Sequence, residues 1–146
     1  MKNRTVLITK IFVAVFALAL ATLLVTAPML VEEYADFRGF SLVVSRCILF
    51  TFYLCSIPAS IALFCLWMLL RNIRREQIFV YGNSRLLSAL SWCCMAVTCL
   101  TLAAAYHYLP FALVAVAMLF IFLIVRVVCS CMAVGTRIKE ENNLTI

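Results

Sequence analysis

The chain has 146 residues, of which 67% are hydrophobic and only 12% charged, and its net charge is +6. A soluble domain is roughly half apolar and about a quarter charged, so a water-soluble globular fold is excluded. Nucleic-acid binding is not expected either, because the basic residues flank apolar runs instead of gathering on a separate face.

Residues 11–31 are uncharged and follow Lys2, Arg4 and Lys10. About 20 helical residues cross a hydrocarbon layer of ~30 Å, so this run is long enough to span. It exceeds the ~7–15 residues of a secretory leader core. Pro28 directly follows the small residues near Val25 and Ala27, an awkward place for cleavage, and a retained first span is expected. A short acidic connection over residues 32–40 carries Glu32, Glu33 and Asp36 against Arg38. Glu32 and Asp36 share one face if that turn is helical.

A second span is expected over residues 47–70, after Arg46, with Pro58 between Ser56 and Ser60. Proline removes a backbone hydrogen bond, and small residues four apart allow close helix approach, so a packing kink is the expected outcome. Residues 71–85, RNIRREQIFVYGNSR, are the long polar interruption of the chain, with four arginines against one glutamate. They are expected to form a loop along the membrane surface, anchored by Ile73, Ile78 and Phe79. Gly82-Asn83-Ser84 reads as a helix entry, since asparagine and serine accept hydrogen bonds from free amides.

The third expected span covers residues 86–106, and Tyr106 and Tyr108 match the interfacial aromatic belt. His107 is the single histidine and has no second ligand beside it, so no metal site is expected. A fourth span over residues 110–134 is interrupted by Arg126. With the hydrocarbon boundary near Ser130, four residues at ~1.5 Å each set its backbone about 6 Å inside, within snorkelling reach. Residues 135–146 then leave the membrane as a tail.

Placing both termini and the central loop on one side gathers Lys2, Arg4, Lys10, Arg71, Arg74, Arg75, Arg85, Arg126, Arg137 and Lys139 there, against Glu76, Glu140 and Glu141. The other side has Arg38 and Arg46 against three acids. Positive charge marks the cytoplasmic side. The expected architecture is an all-α integral membrane four-helix bundle, one transmembrane domain with both termini cytoplasmic.

Catalytic signals are sparse. All six acidic residues fall outside the expected spans, which leaves a proton or cation path without an acidic group in the bundle. Cys93-Cys94 and Cys129-Ser130-Cys131 lack the two-residue separation of redox pairs. Cys129 and Cys131 are candidates for acylation near the inner boundary, but buried apolar thiols are the default. The glycosylation patterns at Asn3 and Asn143 fall on the expected cytoplasmic side and carry no weight. Neither a cofactor nor an enzyme activity is expected.

The tail Glu140-Glu141-Asn142-Asn143-Leu144-Thr145-Ile146 resembles the E-E-N-D-L-T-I ending of a family of small four-span bacterial membrane proteins, domain of unknown function 2975. Ile73-Arg74 followed by Phe79, Asn83 and Leu86 is similar to the same family's central loop. Asn143 stands where that family has an aspartate, removing one negative charge. The resemblance implies a multi-pass protein of the bacterial cytoplasmic membrane, encoded beside a small helix-turn-helix regulator. The expected role is a regulatory or interaction module contacting that regulator through Arg74, Arg75, Phe79, Asn83, Arg126 and the tail residues Glu140, Glu141, Asn142, Asn143, Leu144, Thr145 and Ile146. One alternative is an immunity or protective protein whose acidic loop meets a cationic peptide. Another is a small transporter subunit or membrane thiol oxidoreductase. In a third view of the tail alone, it folds back to cap the bundle and satisfy free carbonyls.

Overall fold

Four helices follow one another in the computed structural model, which describes residues 2–74 and 81–145, with side chains from residue 7 onward. They are α1 (Lys2–Arg38), α2 (Leu42–Arg74), α3 (Tyr81–Ala104) and α4 (Pro110–Leu144). Each is long and apolar enough to cross a membrane, so the chain is an all-helical, multi-pass membrane protein.

Helix packing follows chain order: α1 lies on α2, α2 on α3 and α3 on α4, with no other helix pair at backbone packing distance among the described residues. The inner helix is α3, since 28% of its most apolar stretch is buried against 6% for each of the others. Its buried side chains, Asn83, Leu87, Ser91, Cys94, Thr98, Thr101 and Ala104, recur every three or four residues and form one stripe. Small residues in such a stripe let backbones approach where lipid offers no hydrophobic drive between helices. Their hydroxyls need no outside partner. Ser91 donates to the Ser88 carbonyl at 2.7 Å, Thr98 to Cys94 at 2.9 Å and Thr101 to Val97 at 2.8 Å.

The α1–α2 turn is set by Gly39, whose φ of 66° suits a residue without Cβ. Phe40 N–H donates to the Ala35 carbonyl at 3.0 Å and Gly39 N–H to Asp36 at 3.4 Å. This is the Schellman pattern, with the accompanying contact between the residue after glycine and the last helical turn: the Phe40 and Tyr34 rings lie 5.9 Å apart. At the other turn, Pro110 sits at the start of α4, where its missing N–H costs nothing.

Pro28 lies inside α1, so the Leu24 carbonyl four residues earlier loses its helical donor. Tyr53 of α2 supplies a replacement, its hydroxyl donating to Leu24 O at 2.9 Å. In hydrocarbon no water can do this, so the proline and the tyrosine are paired features of the two helices.

Several helices outlast the apolar runs. The expected loop over residues 71–85 is helical through Arg74 and again from Tyr81; residues 75–80, with Arg75, Ile78 and Phe79, lie outside the described residues. The tail is a continuation of α4 to Leu144 and does not fold back. The acidic connection is largely the end of α1, with only Gly39 to Ser41 outside helix, and Glu32, Glu33 and Asp36 are exposed on that helix. At the end of the third run, residues 105–107 form a turn after Ala104. The helices that outlast their apolar runs share one physical reason: charge limits what can lie in hydrocarbon, while Arg, Lys and Glu remain good helix formers in water.

Candidate functional site

The end of α2, the start of α3 and the extension of α4 converge at one pole of the bundle. Asn83 is fully buried there, 0% exposed, and its Oδ1 accepts a 2.8 Å hydrogen bond from Asn72 Nδ2. Asn83 lies inside the first turns of α3, buried, with its side chain holding α2.

On the other flank, Cys129 of α4 is buried and donates its S–H to the Ser84 carbonyl at 3.4 Å, with Ser84 Oγ 3.7 Å from the sulfur. The two residues are thus a structural contact between α3 and α4. Of the two acylation candidates, only Cys131 is exposed.

Farther out, Tyr81 donates to Glu140 Oε2 at 3.0 Å, joining the first residue of α3 to the extension of α4. Arg137 pairs with Glu141 one turn on, at 3.1 Å, with both side chains largely exposed. Such an exposed pair stiffens the helix by only a few tenths of a kcal/mol, about 0.3–0.5. Thr145 closes the end by donating to the Glu141 carbonyl at 2.7 Å.

The remaining candidates divide accordingly. Arg74 is exposed at the end of α2, and Arg126 is exposed on the outer face of α4, so its side chain is free to run along the helix to the headgroups. Glu140, Glu141, Asn142, Asn143, Leu144 and Thr145 are all exposed on or just beyond α4. Ile146 lies outside the described residues.

The opposite pole is aromatic. Tyr34 and Tyr108 share a 2.9 Å hydrogen bond between their hydroxyls, Phe40 and Phe111 pack edge-on to Tyr108 at 5.7 and 5.5 Å, and Arg38 lies 5.8 Å from the Tyr34 ring centre. The Tyr34 contact raises the Tyr108 phenol above its ordinary pKa. His107 is exposed and stacks edge-on with Tyr106 at 5.3 Å. No cluster of three metal-ligating side chains occurs among the described residues.

Between the poles is an apolar cavity of about 240 Å³, reached by Leu20, Phe52, Cys55, Cys93, Cys94 and Met118 from all four helices. Every buried side-chain nitrogen and oxygen among the described residues has a hydrogen-bond partner. The cavity is lined by thiols and hydrocarbon together with Ser56, whose hydroxyl donates to the Tyr53 carbonyl at 2.6 Å.

Comparison with known proteins gives one match, from residue 26 to residue 146, to the family described as "Protein of unknown function (DUF2975)". It is the family that the tail and central segment resemble. No curated protein and no solved structure matches the chain.

Proposed function

The chain belongs to the DUF2975 family, and we propose that it acts as a non-enzymatic regulatory module of the bacterial cytoplasmic membrane, with its basic pole toward the cytoplasm. The observation that supports this reading is the extension of α4. It continues as one helix through Leu144 and is tied by Glu140 to Tyr81, which keeps Asn142, Asn143 and Leu144 exposed beyond the bundle. A short exposed helical end of defined direction is suited to docking a soluble protein. A cytoplasmic helix-turn-helix regulator is the partner that the family resemblance implies.

Two measurements test this. A reporter fused after Ile146 is expected to be active on the cytoplasmic side; external activity would reverse the orientation. Affinity capture of the full-length protein from its native membranes is expected to retain a helix-turn-helix protein, and removal of residues 140–146 to abolish the capture. Replacing Glu32, Glu33 and Asp36 by their amides should leave it intact. Capture that survives the tail deletion, or a preparation with no such protein, overturns the proposal. A change in cationic-peptide sensitivity caused by the amide variant alone would favour the protective reading instead.

A further inference from the structure

The α1–α2 face carries a groove of about 410 Å³ that the bundle leaves open. Its α1 wall includes Ala14, Ala17 and Ala21, spaced three and four residues apart, all exposed and with nothing beyond Cβ to fill the space, between Val13 and Leu24. Its α2 wall includes Leu63, Phe64 and Trp67. The groove runs from Val13 to Leu24 along α1, eleven residues at ~1.5 Å each, or about 16 Å parallel to the helix. The Ser60 hydroxyl on this surface is already committed to the Ser56 carbonyl at 2.8 Å, so the lining presents no unmet polar atom.

One end of the groove is marked by charge. Lys10 Nζ lies 5.3 Å from the centre of the Trp67 ring. Arg71 follows Trp67 by one turn, is exposed, and so lies on the same side of α2, nearer the helix end. Neither cation pairs with a carboxylate among the described residues. Tryptophan and snorkelling cations at one depth identify the headgroup level.

We propose that this face binds an anionic phospholipid, with an acyl chain in the groove and the phosphodiester between Lys10 and Arg71. The charge and the shape select the same occupant. An apolar channel aligned with the helices matches a lipid tail, and two cations at its mouth, neither paired with a carboxylate among the described residues, match the phosphate of a lipid with net negative charge. This proposal is independent of any partner at the α4 extension.

Trp92→Phe leaves Trp67 as the one tryptophan of the chain, which allows occupancy to be read by fluorescence. The full-length W92F protein is titrated in mixed micelles with phosphatidylglycerol or phosphatidylcholine brominated on the acyl chain. Half-maximal quenching is expected at a mole fraction of phosphatidylglycerol lower by at least about fivefold, the ratio that a single cation contact near the surface supplies. Adding K10Q and R71Q should remove that preference while quenching by phosphatidylcholine persists. Adding A17F should fill the groove and weaken quenching by both lipids. Equal quenching by the two lipids in W92F, or an unchanged preference in K10Q/R71Q, overturns the proposal. The charge variants lie at exposed or half-exposed positions and remain a valid test if A17F fails to fold.

Discussion

Asn83→Leu is expected to destabilise the protein by about 2–6 kcal/mol. Two effects add. The leucine has no acceptor for Asn72 Nδ2, which now sits 2.8 Å from Asn83 Oδ1, and a buried donor without a partner costs about 1–3 kcal/mol. The branched side chain must also enter a site that is 0% exposed, where overpacking costs about 1–3 kcal/mol. Asn83→Ala removes the acceptor without overpacking the site and should cost about 1–2 kcal/mol, while Asn72→Ala, at a half-buried position, should cost less. The order Leu > Ala at Asn83 > Ala at Asn72 is measurable from equilibrium unfolding in mixed micelles. An Asn83→Ala protein as stable as the parent would show that the bond contributes nothing.

The second large effect is conditional. Tyr53→Phe is expected to cost about 1–2 kcal/mol in the parent, because it leaves the Leu24 carbonyl without a donor in a medium that supplies none. In a Pro28→Ala background the same change should cost close to nothing, since the introduced alanine has an N–H to give Leu24 through the helix. The coupling energy of the double-mutant cycle is then about 1–2 kcal/mol. Equal costs of Tyr53→Phe in the two backgrounds would mean that the tyrosine is not answering the proline.

These two contacts show where sequence reading stopped. The four long apolar runs were legible because hydropathy is a local property, whereas the turn at Gly39 showed itself only in the backbone. Asn83 was legible only as a polar residue near a helix start, a pattern shared by caps and by buried interhelical contacts. Its partner, Asn72, is set opposite it only once α2 and α3 close on each other. A proline inside a helix orphans the carbonyl four residues earlier, but nothing in the spacing of Tyr53 places its hydroxyl there before α1 and α2 have a register. The helical ends were missed for a different reason: the run from Gly135 to Leu144 loses apolar character while keeping helix-forming residues and the Arg137–Glu141 pair. Of the expected contact residues, the exposed end of α4 remains a working surface in the proposal, and Asn83 becomes part of the frame that positions it.

The succession of neighbours α1 on α2, α2 on α3 and α3 on α4 also bears on how the protein is made. Each helix that leaves the ribosome finds its packing partner in the one synthesised just before it, so no early span must wait for a late one to close the structure. Contacts of short sequence separation form quickly and leave little time for exposed polar groups to find wrong partners. The inner helix α3 finds α2 already present to receive Asn83, and its other flank is covered when α4 follows.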